Sequence, residues 1–567
     1  MSQGIDEARI AWTQSEALAD FRRRIPPLDA ADQTALVAAA ADMLAAHYAH
    51  LPQKRERHHV NAPELVGSVP PHASALCFHA ALAARFAALR DLHTTYVLPP
   101  PFFGHIAFLP FQVGWLRTTQ TGRLIVTHVV QAAVAAPFGP GCEILTFDGI
   151  EVVTAIAALA ELSGGANPPA RWARAVAALT QRPMQRMAPP DRCEVMLGYR
   201  PPGASMQAPL RHLRFSWRVA EILPDMVGPV APATSPALSL DAEGDALRQH
   251  RRRFYAPHIL AAERAGAAPS FPAHAEDHPF EAEIATALTA LRAWAGRSGD
   301  RRFGHLRIRS FKTEDADGWL DEVARLLRLL PQERLILDVR DNSGGLVDAA
   351  ERLLPMLSDT RIAPMRMQFL ATPENLALCR QQGSGSPDLS AWVDSLAAPA
   401  GSAWSAALPM TSPDLLRDTP RIYPGQVVLV TSALCYSACD IFIAGFADHG
   451  IGPILGVDEN IGAGGANVWS YRQLMALRGR DPDLPGGAGL RVAIRRALRR
   501  NGQPLEELGV IPTHLHHPTR RDLLAGDHDL LHAALALFEQ TEVAPGGTSA
   551  LAHDPDISAI PPSVITL

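Results

Sequence analysis

The run from Val427 to Phe446 constrains this chain more than any other stretch. Val427-Val428-Leu429-Val430 is short, apolar and β-branched, as a buried strand is. Small and polar residues follow, Thr431-Ser432-Ala433-Leu434-Cys435-Tyr436-Ser437-Ala438, and then an apolar-periodic run from Ile441 through Phe446. The pattern predicts strand, tight turn and helix. A serine at such a turn has its hydroxyl lifted out of the packed layer. The unpaired N–H groups at the start of the helix favour a developing oxyanion.

A second buried strand runs into a glycine turn at Leu335-Ile336-Leu337-Asp338-Val339-Arg340-Asp341-Asn342-Ser343-Gly344-Gly345. Together the two stretches resemble the C-terminal processing (tail-specific) protease family. That family has a strand ending in Asp-x-Arg-x-Asn-Gly-Gly-Gly, then a strand and turn carrying Ser-Ala-Ser-Glu ahead of a helix. The resemblance runs from about Leu92 to Leu537 and is most specific between Leu335 and Gly465. It implies a serine-type peptidase with Ser437 as nucleophile and an oxyanion hole made by the N–H of Ala438 and that of Gly344 or Gly345. Asp440 stands where the family has Glu, and Ser343 replaces the first glycine. Asp338 and Arg340 read as a structural pair at the strand end.

A serine hydroxyl needs a partner to take its proton. The larger branch of the family uses a lysine in a Phe-Gly-Lys-Gly turn roughly 25 residues after the serine. The corresponding turn here, Ile461-Gly462-Ala463-Gly464-Gly465, holds none. Lys54 and Lys312 are the only lysines in the chain. Lys54 lies in the charged run Gln53-Lys54-Arg55-Glu56-Arg57, which reads as solvated, and Lys312 follows a predicted strand. Arginine cannot substitute, because its pKa above about 12 leaves no neutral form. The chain therefore resembles the Ser–His–Glu branch, which includes tricorn core protease and the chlamydial secreted protease. Leu89-Arg90-Asp91-Leu92-His93-Thr94 is similar to the family's Asp-x-His-Thr element and implies His93 as base. Leu505-Glu506-Glu507-Leu508-Gly509-Val510-Ile511-Pro512 is similar to its Ile-Glu-x-x-Gly-Val-x-Pro and implies Glu506 as the residue that orients the imidazole, with Glu507 next in line.

With 567 residues and 47% hydrophobic against 19% charged, the chain is globular and large enough for two to four domains. A net charge of −6 and the lack of a long basic run argue against a nucleic-acid partner. No apolar run reaches membrane length, and the first residues lack a basic region followed by an apolar core. A cytoplasmic location is expected, with export left open because many members of the family are exported. The six cysteines show no metal spacing, and Cys435 and Cys439 are expected to be buried thiols. His514, His516 and His517 lack a fourth ligand nearby for zinc. No metal or cofactor is expected, the partner is a polypeptide substrate, and a homo-oligomer stays open.

The predicted class is α/β, multi-domain α+β overall: a crotonase-like ββα protease core, a PDZ-like β-domain and an N-terminal helical domain. Residues 1–97 read as helical, with helices over 36–51 and 73–89, and carry the base. Residues 98–217 are dominated by strand signals. There Phe138-Gly139-Pro140-Gly141-Cys142 leads into a strand and an Asp148-Gly149 turn, similar to the central hairpin of a PDZ domain, with an insertion at 163–187. Residues 218–300 read as a Pro/Ala-rich linker, which invites self-cleavage, and an amphipathic helix over 279–295. Residues 301–537 alternate strands and helices, with an insertion at 360–420 of the length of a lid and a closing helix over 522–537. Residues 538–567 form a loose tail. An endopeptidase has two rivals. A non-catalytic ligand- or peptide-binding protein on the same fold, as in retinoid-binding relatives, has no need to keep Ser437, His93 and Glu506 together. An esterase of the α/β-hydrolase type carries Gly-x-Ser-x-Gly, which Tyr436-Ser437-Ala438 does not match.

Overall fold

The computed structural model describes residues 12–117, 122–130, 133–222, 238–240, 242–255, 279–385, 388–398 and 401–542. Its centre is a seven-stranded sheet in the order Phe280–Ile284, Leu291–Ser298, Arg301–Ile308, Arg334–Asp338, Gln426–Thr431, Ile454–Gly456, His514–Leu515. The first three strands are antiparallel and the last five run parallel. Arg334–Asp338 is buried at every position and Gln426–Thr431 at all but its first, as parallel strands covered on both faces must be. Ala438–Asp448 and the amphipathic helix Ala316–Leu329 contribute to the large core on one side. On the other, the closing helix sets Leu531, Ala534 and Phe538 in a cluster with Ile336, Val428 and Val430.

Two expectations for the core need correcting. Residues 279–295 are not a helix but two strands, Phe280–Ile284 and Leu291–Ser298. Leu291-Arg292-Ala293-Trp294-Ala295 alternates buried and half-buried positions with period two, and a hairpin through Gly299, at φ +58°, pairs it with Arg301–Ile308. Among the described residues between 218 and 300, the helix is Ala242–Tyr255. The closing helix is also two, Arg520–Ala525 and His528–Glu542, parted at Gly526 with φ +83°.

The β-domain is a sheet of Arg211–Ser216, Glu194–Arg200, Glu143–Phe147, Gly122–Val129 and Phe111–Arg117, with Ile150–Glu151 attached through an Asp148-Gly149 turn whose two residues have positive φ. The insertion supplies the helix Pro168–Ala178 and a strand, Gln181–Pro183. That strand joins a separate four-stranded sheet with His105–Phe108, Arg218–Glu221 and Glu16–Ala17.

The N-terminal helices Ala30–His47, Leu51–His58 and Ala75–Ala87 share one continuous core with the protease strands. Thr95–Val97, just after His93, pairs with Gly489–Leu498 in a further sheet. The segment at 360–420 is not a bare loop. Arg366–Phe369 pairs with the other end of Gly489–Leu498, at residues 495–498, and helix Pro373–Gln382 places Asn375 Oδ1 2.6 Å from His47 Nδ1. From the linker, the short strand Leu238–Leu240 pairs antiparallel with Gly344–Leu346. The rest of the Pro/Ala-rich stretch at 224–236 and the tail from 543 lie outside the described residues.

Candidate active site

Ser437 stands at the N-cap of Ala438–Asp448 with φ +69°. Such a φ is strained for a residue with a Cβ and is found where a turn must aim a side chain. The strain is held by Asp440, three residues into the turn. Its carboxyl accepts the N–H groups of Ser437 at 2.9 Å, Ala463 at 3.2 Å and Gly464 at 2.8 Å. Burial pushes Asp440 up to about 7 against those three donors. The residue that departs from the family's Glu thus fastens the nucleophile turn to the glycine turn at 461–465. That second turn needs its glycines: a Cβ on Gly464 would meet the Tyr436 ring at 1.9 Å.

His93 reaches the same place from the N-terminal region. Its Nε2 lies 2.9 Å from Ser437 Oγ, and both residues are buried. The loop is set by Asp91, whose Oδ1 accepts the N–H of His93 at 2.8 Å and of Thr94 at 3.2 Å, while Oδ2 accepts Thr94 Oγ1 at 2.9 Å. Tyr436 adds a second tie. Its hydroxyl accepts the Leu92 N–H at 3.2 Å, and its ring centroid lies 4.8 Å from that of His93.

Behind the loop is a buried charge cluster. His50 Nδ1 is 3.0 Å from Asp91 Oδ2. Lys54 Nζ donates to Glu506 Oε1 at 3.1 Å, to Glu507 Oε1 at 2.5 Å and to the Arg90 carbonyl at 2.8 Å. Lys54 is fully buried, so its reading as solvated was wrong. The charged run is helix Leu51–His58, and position 54 faces inward with Leu51 and Gln53. Burial opposes the ammonium, but Glu506, Glu507 and Asp91 outweigh it and hold Lys54 protonated. Burial and the neighbouring Asp91 and Glu507 push Glu506 well up despite Lys54. Burial also opposes the Asp91 carboxylate, yet its His50 hydrogen bond and the charges of His50, Lys54 and His93 hold it far below the usual range. His50, Asp91 and Glu506 offer atoms within 4.8 Å of one another. Lys54 already supplies a cation there. Of the three C-terminal histidines, His516 pairs with Asp522 at 2.7 Å.

The strand-end turn at 340–345 lies against the serine turn, with the Tyr436 N–H donating to the Asn342 carbonyl at 2.9 Å. Gly344 donates its own N–H to Asn342 Oδ1 at 2.9 Å, and Gly345 is the register partner of Ser239 in the pairing with Leu238–Leu240. Gly345 has φ +145°, and a Cβ there would meet the Phe311 carbonyl carbon at 2.1 Å. Arg340 binds Asp338 at 2.7 Å, as the strand-end pair predicts, and also Asp527 at 2.7 Å. Ser432, the other serine of the turn, bonds Asp341 Oδ1 at 3.0 Å. Cys435 and Cys439 are buried free thiols.

Sequence reasoning missed Asp91, His50 and Lys54 as parts of the site. Asp91 was legible, since an Asp two residues before His is the spacing at which a carboxyl caps its own loop. His50 and Lys54 carry no such local signal.

A serine hydroxyl against an imidazole, at a helix start on a parallel sheet and beside a PDZ-like domain, defines a serine-type peptidase. Residues 302–515 match peptidase family S41 and residues 105–225 match a PDZ domain, and the chain is a serine-type peptidase. Its fold is similar to that of mature CPAF complexed with lactacystin, at TM-score 0.64 and 17% identity over 90% of this chain and 98% of that one. It is similar to the CPAF s499a mutant at TM-score 0.65 and 16% identity, covering 92% and 99%. The photosystem II D1 C-terminal processing protease aligns at TM-score 0.37 and 15% identity, covering 89% and 97%. No curated protein matches the chain in sequence. Among the described residues, no helix is long and apolar enough to cross a membrane.

Proposed function

We propose that the chain is an endopeptidase that cleaves polypeptides through an acyl-enzyme on Ser437. The observation that carries this reading is the 2.9 Å approach of His93 Nε2 to Ser437 Oγ. His93 takes the hydroxyl proton as Oγ attacks the scissile carbonyl, then returns it to the leaving amine. The Ala438 N–H, at the first position of the helix, and that of Gly344 or Gly345 receive the oxyanion. Glu506 orients the imidazole, and the ionised Asp91 fixes its loop and adds negative charge beside it. Lys54 keeps the three carboxyls packed together. The PDZ domain presents the substrate as an added strand.

Hydrolysis of an internally quenched peptide mixture by the wild type and by Ser437→Ala tests the reading. Loss of turnover by several orders of magnitude is expected in the variant, with its thermal midpoint unchanged, since only binding and oxyanion terms remain. Equal turnover by the two proteins refutes it.

A further inference from the structure

A cavity of about 280 Å³ opens at the carboxyl ends of Arg301–Ile308 and Arg334–Asp338, between the inserted helix Pro168–Ala178 and the helix Ala242–Tyr255. Carboxyl ends of parallel strands are where ligands bind in such sheets. The wall is strongly one-signed. Among the described residues that line it, seven are arginines, from Arg174 to Arg340, and one, Asp341, is a carboxylate.

The cavity borders the serine turn. Ser343, in its wall, precedes Gly344, and Leu434, also in the wall, stands in the serine turn. Arg174 lies over the ring of Tyr436, 5.4 Å from its centroid, and Tyr436 immediately precedes Ser437.

Asp338, behind the wall, binds two of these arginines, Arg307 at 2.5 Å and Arg340 at 2.7 Å. Others donate to uncharged acceptors: Arg182 Nε to the Ala178 carbonyl at 2.9 Å, Arg251 Nε to Gln181 Oε1 at 3.1 Å, and Arg248 Nη1 to the Arg309 carbonyl at 2.5 Å. Burial lowers Arg182 to about 10, and it lowers Arg251 although Asp341 opposes the shift. These are charges held where water is scarce, and an entering anion stabilises them. A guanidinium fork fits a carboxylate in two parallel hydrogen bonds.

We propose that this cavity is a substrate subsite that takes an acidic side chain, Asp or Glu, of the polypeptide being cut. The proposal rests on the peptidase reading above and names its substrate class.

Binding to full-length Ser437→Ala tests it without depending on chemistry. The probes are fluorescein-labelled, C-amidated octapeptides in which one Glu walks through an alanine background, each with a Gln twin. At one position the Glu peptide is expected to bind about tenfold or more tighter than its twin, the difference of one charged hydrogen-bonded contact. The preference should shrink as salt rises. Adding Arg251→Gln, or separately Arg248→Gln, should reduce the Glu-to-Gln ratio severalfold, and a matching melting curve keeps misfolding apart from lost recognition. Equal binding of every pair overturns the proposal, as does a ratio unmoved by either arginine change. Tighter binding only of peptides with a free C-terminus, whatever the side chain, assigns the cavity to a chain terminus and also overturns it. Because wild-type hydrolysis is scored separately, an acid preference without turnover refutes the peptidase reading, and turnover without acid preference refutes the subsite.

Discussion

Lys54 Nζ lies 3.1 Å from Glu506 Oε1, with both side chains fully buried. One of two lysines in the chain therefore sits inside the carboxyl cluster that supports His93. Removing one partner of a buried pair leaves an uncompensated charge and costs about 3–5 kcal/mol. Lys54→Met is expected to lose stability on that order and most peptide turnover. Lys54→Arg is expected to fare little better, because a planar fork does not fit the space of a compact ammonium. Thermal midpoints and turnover check both. A fully active, fully stable Lys54→Met would remove the cluster from the account.

The two glutamates beside Lys54 should separate. Glu507 also lies 3.0 Å from His58 Nε2, and Lys54 keeps it below its usual range against burial. Glu507→Gln is expected to destabilise chiefly. Glu506→Gln is expected to fold and to cut kcat by between about tenfold and 10⁴-fold, as loss of the orienting carboxyl does in a triad. An active Glu506→Gln beside a well-folded but dead Glu507→Gln would exchange their roles.

Glu351 gives a pH dependence of stability. It is buried and pushed up to about 7 by that burial, against its hydrogen bonds from Thr411 and the Met365 N–H. The native state thus keeps a proton that the unfolded chain releases near its ordinary value of about 4.5. Its contribution is full below about pH 4.5 and is lost as pH rises through about 7. Glu351→Gln should gain stability relative to the wild type over that window, on the order of 3 kcal/mol by about pH 8. Thermal midpoints of both proteins at several pH values measure it, and parallel curves would contradict it.

Leu238–Leu240 lies along Gly344–Leu346, the strand that carries the oxyanion candidate. An extended substrate pairs with a strand edge in this manner. Self-cleavage is expected in the surrounding stretch between about Leu223 and Pro272. Wild type and Ser437→Ala incubated side by side should differ, with fragments from the wild type alone. Identical intact bands would exclude it.

Much of this site was legible because its parts lie in short motifs. Ser437 and His93 each carry a local signature, and the structure brings them together across 344 residues. Asp440 looked like a departure from the family and proves to be the clamp on the serine turn. Lys54 was misread because a charged run seemed to need solvent. A helix turns one position in three or four inward, and the carboxyls that receive Lys54 there come from residues 506 and 507. The strand Leu291–Ser298 was hidden for another reason. Alanine and leucine suit either period, and pairing with Arg301–Ile308 decides between them.

The central claim is the Ser437–His93 pair. Lys312 is the remaining lysine that could serve a Ser–Lys mechanism. The most direct measurement is fluorophosphonate labelling of the wild type, His93→Ala and Lys312→Arg, followed by peptide mapping of the adduct. The account predicts a single adduct on Ser437 in the wild type, unchanged in Lys312→Arg and slowed by orders of magnitude in His93→Ala. An adduct on Ser432, or rapid labelling of His93→Ala beside an inert Lys312→Arg, would contradict it.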